Sequence, residues 1–537
     1  MKPFDASGTF RLAAHGDGEV RRRAVLGVGV TVFSQGVLFA VQMIATVVLA
    51  RLLTPADFGV VTMVTTFSLL LTNFGLNGFT EAVLQREEMD HALASNLFWI
   101  NLAAGLLLTV GFAEAGSLLA RFYGDPRVAR VADSMSVTIA ITSTSVLHLA
   151  LLKRAMRFAV VSANDILARV VSVTLSIVLG CAGWGYWALV AGAVVQPLTT
   201  SIGAWSLCRW VPGLPRRAEG TDSMVRFAMN TYGNFAVNYF ARNMDNLLLG
   251  WRFNAQSLGF YKKAYDLFAL SASQLVSPLT VVAVPALSRL KQDSIQYRRH
   301  LLGALAAVAF VGMGLGANLT LVGKDVIRLL LGPGWEESGR LFTFFGPGIG
   351  IMLLYGTHGW IHLSIGRADR WFRWGIVEFV FTGLLFLLAL RWGAGGIALA
   401  WTASFWILAV PAFWYAGRPI RLGVGTVIAA VWKYLVASLL AGCASDGIIR
   451  GFPSFLAASG LVGAITHIVM ISALFGTLYL GAIILLHQGW APLYQVAGLL
   501  RQMLPWGELS RPSPSVAASC GIGTSAALAL ARSRGRS

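Results

Sequence analysis

Residues 25–50 read VLGVGVTVFSQGVLFAVQMIATVVLA, an apolar run without one charged side chain, set directly behind Arg21, Arg22 and Arg23. A run of this length spans a bilayer core as a helix. Inside lipid every backbone amide must be paired within its own segment or in a closed barrel. The run lacks the alternation of apolar and polar residues that barrel strands show, so the helix remains. It is too long for the apolar region of a signal peptide, and no small-x-small cleavage site precedes its polar end. It therefore reads as an uncleaved first helix, with Thr31, Gln35, Gln42 and Thr46 sharing one face.

Runs of the same kind follow at 58–79, 92–114, 129–152, 163–181, 184–207, 224–250, 258–286, 301–322, 341–364, 372–390, 395–416, 427–446 and 455–486. With the first they make about fourteen transmembrane helices, and the expected fold is an all-α membrane protein. Of 537 residues 56% are hydrophobic and 12% charged; soluble domains carry about a quarter charged residues, so a soluble fold is excluded. An even number of spans puts both termini on one side. With the termini inside, the inner connections and tails hold about three times the lysines and arginines of the outer ones, the bias of a cytoplasmic face. The formal net charge of +18 then reads as a topology signal and an attraction to membrane lipids, not as a nucleic-acid surface.

The longest inner connection, Arg209 to Asp222, carries Pro212, Pro215, Arg216 and Arg217 and divides the chain. The expected organisation is a cytoplasmic tail at 1–24, a first helix bundle at 25–208, a cytoplasmic linker at 209–223, a second bundle at 224–416, two peripheral helices at 417–490 and a cytoplasmic tail at 491–537. The ends Met1–Glu19 and Pro505–Ser537 are short or too polar to bury a core, and both are expected to be disordered.

The two bundles repeat. At an offset of 200 residues Ala50–Gly59 falls on Gly250–Gly259, and Thr62, Thr66, Asn73, Asn77 and Thr80 fall on Lys262, Asp266, Ser273, Ser277 and Thr280. Each of the latter sets occupies a helical face about 60° wide. The seventh helix carries Asn230, Asn234, Asn238, Arg242 and Asp245 on one face, with Asn246 at its edge, and Gln42 coincides with Arg242 at the offset. Six helices per half, both starting inside, give a parallel repeat about an axis along the membrane normal, two pseudo-symmetric six-helix bundles around a central cleft that the polar stripes would line. A charge placed mid-helix is costly in lipid, so Arg242 needs a partner or water. Asp245, three residues on, is the expected local partner.

Covalent chemistry finds little support. There is no G-x-x-x-x-G-K-[ST] phosphate loop, and Gly346-Pro347-Gly348 inside an apolar run marks a kink or close packing. His358 and His362 are spaced as metal ligands can be but lack a third ligand, and Cys181, Cys208, Cys443 and Cys520 are scattered, so neither metal nor cofactor is expected. Lys262 and Asp266 are spaced for a salt bridge. Glu81, Asp133, Asp165 and Glu378 lie near the expected helix ends, where interfacial solvation accounts for them. Pro278 and Pro285 are candidate hinges.

Leu49–Gly59, the matching Arg242–Gly250 with Leu258–Tyr261, and Pro285-Ala286-Leu287-Ser288-Arg289 resemble the polysaccharide-transporter branch of the multidrug/oligosaccharidyl-lipid/polysaccharide flippase superfamily. Within it the likeness is to the exopolysaccharide or O-antigen repeat-unit flippases of the bacterial inner membrane, lipopolysaccharide biosynthesis proteins among them. It covers about residues 20 to 490. The resemblance implies bundles that rock between inward-open and outward-open states and carry a polyprenyl-pyrophosphate-linked oligosaccharide outward on a cation gradient, coupled to a polysaccharide polymerase and glycosyltransferases. On that reading Arg242, Asn234, Asn238, Gln42 and Arg51 bind substrate, and Asp245, Asp266 and Lys262 serve ion coupling or gating. The alternative is a cation-coupled exporter of drugs or metabolites, which would favour a smaller, more apolar cleft.

Overall fold

Where α1 (Asp17–Leu52) gives way to α2 (Pro55–Gln85), Thr54 caps the new helix: its Oγ1 accepts from Asp57 N at 3.3 Å and Asp57 Oδ2 accepts from Thr54 N at 2.9 Å. Such a reciprocal cap satisfies amides that have no partner inside the helix. Two hundred residues on, α7 (Thr221–Arg252) gives way to α8 (Ala255–Arg289) through Asn254, whose Oδ1 accepts from Ser257 N at 2.8 Å. Both turns end and restart their helices at equivalent positions, so the repeat read from polar residues is a repeat of backbone.

The computed structural model describes residues 3–5, 8–10, 17–86, 88–216, 220–451, 460–490, 493–494 and 498, with backbone only at 17–28, 32, 234, 271–275, 277–278, 281 and 460–461. The C-terminal tail expected to be disordered lies outside the described residues from position 499. Between the two turns run α3 (His91–Tyr123), α4 (Arg127–Arg154), α5 (Phe158–Cys181) and α6 (Tyr186–Cys208). After α8 come α9 (Ser294–Leu331), α10 (Glu336–Gly356), α11 (His358–Ser364), α12 (Ala368–Ala389), α13 (Gly393–Gly417), α14 (Val424–Gly451) and α15 (Gly460–His487). The helices α10 and α11 are one segment interrupted at Thr357, so the fifteen α-helices among the described residues make fourteen passes.

Eleven stretches among the described residues are long and apolar enough to cross a membrane, Ala368–Ile420 joining α12 and α13 in one. The helix α7 is not among them, because its polar stripe, with Arg242 and Asp245, dilutes the hydropathy. Residues Met1–Tyr479 form one compact unit and Leu480–Ser537 another. In the first, α2 packs against α4 of its own half and against α7 and α8 of the other. The second half is built on α9 and α10, where a Cβ on Gly346 would press on Thr320 and one on Gly350 on the Gly312 carbonyl. Close packing is therefore what Gly346-Pro347-Gly348 provides. Small residues permit this because helices in lipid associate by packing rather than by the hydrophobic effect.

The connections α2–α3, α4–α5, α6–α7, α8–α9, α11–α12 and α13–α14 share what we term the near face, and the α1–α2 and α7–α8 turns lie on the far face. Residues 3–5 and 8–10 are not disordered as the composition of the N-terminal end suggests. Phe10 N donates to the Met89 carbonyl at 3.0 Å and His91 N to the Gly8 carbonyl at 2.8 Å. Asp5 closes the turn by accepting from Thr9 N and Oγ1 at 3.0 and 2.8 Å. Phe4 is buried against His91 and Trp210, with ring centroids 5.4 and 6.1 Å away, and the Arg154 guanidinium lies 5.2 Å over Phe10. Two aromatic residues with a docking surface offset the ordering entropy that polar composition alone would leave unmet.

The same surface pins the linker. Gly213 N donates to Ser95 Oγ at 2.9 Å, Trp99 Nε1 to the Gly213 carbonyl at 2.8 Å, His148 Nε2 to the Trp210 carbonyl at 3.1 Å, and Arg216 N to Asn96 Oδ1 at 3.0 Å. The connection thus belongs structurally to the first half as far as Arg216. Deleting residues 1–10 should leave the inserted helices intact while raising amide exchange at His91 and along 210–213 by about tenfold, since this opening is local. Hydrogen-exchange mass spectrometry in nanodiscs checks this; unchanged exchange would show that the segment does not hold the near face.

Candidate functional site

At the far end α2 crosses α8 with no side chain between the backbones. A Cβ on Gly59 would collide with the Ala255 carbonyl, and one on Gly259 with the Pro55 carbonyl. These four residues obey the offset of 200, so the crossing is a pseudo-two-fold contact between repeats. Around it Trp335 Nε1 donates to the Ala50 carbonyl at 2.8 Å and Arg51 Nη2 to the Leu329 carbonyl at 2.6 Å. Phe58 meets Trp335 edge-on with centroids 5.6 Å apart. The far end is closed in this state, and Arg51 is engaged in the closure instead of being free for a substrate.

Along the rest of its length α2 carries α7. Tyr232 Oη donates to the Leu70 carbonyl at 3.0 Å, Tyr239 Oη to the Thr65 carbonyl at 3.4 Å, and Phe74 packs edge-on against Tyr232 at 4.9 Å. At the near end a cavity of about 510 Å³ remains, lined by Gln85, Arg86, Glu88, Ser223, Met224 and Phe227. The repeat would pair α1 with α8 in the same way, but no matching seam is formed there among the described residues.

The α7 stripe splits into two environments. Asn238 and Arg242 are exposed, and Arg242 makes no ion pair among the described residues; the side chain of Asn234 lies outside them. Asp245 is fully buried instead, its Oδ2 accepting from Tyr261 Oη of α8 at 2.7 Å and from Trp401 Nε1 of α13 at 2.9 Å. The expected Arg242–Asp245 pair is not formed, because α8 and α13 close over Asp245 with two neutral donors. A carboxylate held by such donors keeps its hydrogen bonds without a buried counter-ion. On α8, Lys262 Nζ reaches Asp266 Oδ1 at 2.7 Å as the spacing implies. Gln42 does not meet Arg242; its Oε1 accepts from Arg169 Nη1 of α5 at 3.3 Å.

A second acid stands behind Arg242. Glu378 lies mid-way along α12, half-buried, and its Oε2 accepts from Tyr355 Oη at 2.9 Å, which in turn accepts from Trp374 Nε1 at 2.8 Å. Interfacial solvation therefore does not account for this residue, and Arg242 is close enough to act on it electrostatically. His358 and His362 are buried beside Tyr355 and Tyr415 in aromatic packing, with His358 Nδ1 on the Tyr355 carbonyl at 2.5 Å. Among the described residues no three metal-ligating side chains gather. The arrangement offers fixed donors, acids and an exposed guanidinium.

Residues 48–340, more than half of the chain, match the model of a family described as polysaccharide biosynthesis protein. The chain belongs to that family. Among its relatives, the teichuronic acid biosynthesis protein TuaB of Bacillus subtilis (strain 168) is 23% identical over 411 residues, 73% of this chain and 84% of the relative. The succinoglycan biosynthesis transport protein ExoT of Rhizobium meliloti (strain 1021) is 21% identical over 355 residues, 66% and 72% of the two chains. Among solved structures the fold is similar to that of the lipid II flippase MurJ in an inward closed conformation, with a TM-score of 0.67 at 12% identity, covering 86% of this chain and all of that one.

Against this family background the residues that sequence reasoning missed share one trait. Tyr261, Trp401, Tyr355 and Trp374 are aromatic residues with a polar handle, and in an apolar span they read as packing or belt residues. A buried Tyr or Trp needs an acceptor, so each was a signal for a carboxylate nearby. Replacing Asp245 by Ala leaves two buried donors unpaired, which costs about 1–3 kcal/mol for each. Thermal unfolding of the purified protein should show a clear loss for Asp245→Ala and a smaller one for Tyr261→Phe; equal stability of Asp245→Ala and the unmodified chain would show that the carboxylate does not organise α7, α8 and α13.

Proposed function

We propose that this multi-pass membrane protein of the polysaccharide biosynthesis family is a flippase that carries a polyprenyl-pyrophosphate-linked oligosaccharide across the bacterial inner membrane by alternating access. The observation that carries this is the exposed Arg242, without an ion pair, on a polar stripe inside a membrane-spanning helix. A desolvated pyrophosphate needs fixed, permanently charged donors, and a guanidinium offers them in a planar fork. Asn238 and Asn234 supply hydrogen bonds to sugar hydroxyls. An opening between α1 and α8, where no seam is formed among the described residues, would suit a lipid-linked cargo in particular, because the polyprenyl tail can stay in the bilayer while the headgroup moves. The near face is cytoplasmic, with both termini there, and the far-end crossing is the outer gate, with Arg51 on its rim.

Asp245 and the Lys262–Asp266 pair serve coupling or gating: Asp245 joins α7 to α8 and α13, whose separation must change as the gate opens, and the pair lies on α8 beside it. Gln42, held by Arg169, completes the cargo site from the first half. The transport needs no covalent step, and a polysaccharide polymerase and glycosyltransferases act before and after it. Cysteines at 292 and 334, introduced into a chain without its native cysteines, should report the orientation: an impermeant maleimide applied to intact spheroplasts should label 334 and spare 292.

Depletion should trap the lipid-linked oligosaccharide in the inner leaflet, measured by mass spectrometry with a membrane-impermeant lectin reporting sidedness. Arg242→Ala should abolish surface polymer while the protein still inserts. A normal pool with normal polymer on depletion, in a strain without a second flippase, would favour the cation-coupled small-molecule exporter. Full polymer from a well-expressed Arg242→Ala strain would remove Arg242 from the cargo site.

A further inference from the structure

The far-end crossing contains one residue that its symmetry does not require. Lys263 of α8, one turn beyond Gly259, is only 8% exposed, and its Nζ sits 3.9 Å from the centroid of the Phe58 ring on α2. The contact spans the two halves of the chain. Its neighbour Lys262 has Asp266 at 2.7 Å, whereas Lys263 makes no ion pair among the described residues. At the offset of 200, Lys263 corresponds to Met63, which is 1% exposed, and Phe58 corresponds to Leu258, which is fully buried. The repeat thus sets buried Met63 and Leu258 at the positions that correspond to Lys263 and Phe58. The repeat itself demonstrates that this position accepts an unbranched apolar side chain, so the charge is not needed for the helices to cross.

We propose that Lys263 is a gating residue that keeps the closed far-end seam reversible: its ammonium is desolvated on closure and rests over the π face of Phe58 without an ion pair among the described residues. This deepens the carrier reading above and rests on it. Burying a charge costs more than an aromatic face returns. Closure is therefore opposed by Lys263 and favoured by Phe58, and the two together leave the seam poised. When α2 and α8 part, the ammonium regains water and is presented to an anionic headgroup leaving on that side. Trp335 stacks edge-on behind the Phe58 ring and is itself bonded to the Ala50 carbonyl, so the ring that receives the cation is fixed in place by both halves.

The test uses the full-length chain, its native cysteines replaced, in lipid nanodiscs, with spin labels at Leu52→Cys and Arg252→Cys, equivalent positions beside the crossing. Pulsed spin–spin distance measurement reads the fraction of molecules with a parted seam. Lys263→Met, which copies the other repeat, should reduce that fraction about fivefold or more, and Phe58→Leu should raise it by a similar factor. Lys263→Arg should behave like the unmodified chain, and Lys263→Met combined with Phe58→Leu should resemble Lys263→Met, because the ring matters only when a cation faces it. Surface polymer should fall in Lys263→Met and recover in Lys263→Arg. Identical distance distributions in all four variants, or a parted fraction that rises in Lys263→Met, would overturn the gating role. A loss of polymer in Lys263→Met with unchanged distances would also reject it while leaving the carrier reading standing.

Discussion

The α2–α8 crossing admits no side chain between its two backbones, and most of the functional geometry depends on that contact. It can form only where glycine stands on both helices at equivalent positions, Gly59 and Gly259. Once they meet, the Thr54 and Asn254 caps, the Trp335 indole and the Arg51 guanidinium are brought to one end of the molecule. Helices in lipid gain little from hydrophobic association, so close backbone packing is one of the few forces available to hold two halves together while leaving them separable. A backbone contact that locks at one end is also what a rocking motion needs, because packed interfaces switch between discrete arrangements and do not stretch.

The number and order of the helices, the repeat and its offset were legible in the sequence because each rests on a local, periodic property: length of apolar run, sign of charge, spacing of polar residues. The break between α10 and α11 and the docking of Phe4 and Phe10 were not. Both depend on surfaces assembled from distant parts of the chain, Trp210 and His91 in the second case. The candidate site divides the same way. Lys262 with Asp266 follows from helical spacing and is formed. Asp245 was legible as an acid on the polar stripe of the right helix, but it is buried and its partners lie on α8 and α13 and are neutral. Residue spacing along one helix predicts a charged neighbour more readily than a Tyr and a Trp from elsewhere, which is why Arg242 was offered as the partner and Glu378 was passed over.

The repeat is most informative where it fails. Its backbone symmetry extends through both turns and the crossing, yet α2 is bonded to α7 along its length while no corresponding α1–α8 seam is found among the described residues. An exact two-fold arrangement would seal or open both sides together and give an amphiphilic cargo no way in from one leaflet. The groups responsible, Tyr232, Tyr239 and Phe74, lose their chemistry at the positions 200 residues away, which are Val32, Phe39 and Gln274. Neither phenol has a counterpart with a hydroxyl to donate, and an amide stands where the Phe74 ring would be repeated.

The charges are distributed by the same logic. In a low-dielectric span a charge must be hydrogen-bonded, paired, or left facing water. Asp245 takes the first course with Tyr261 and Trp401, Lys262 takes the second with Asp266, and Arg242 takes the third. A structure that needed only stability would favour the first two courses throughout, since an unpaired guanidinium in a membrane helix contributes nothing to folding. On the proposed function its place on the α7 stripe is accounted for by an anionic cargo, with the Glu378 carboxyl close enough for the two to interact electrostatically.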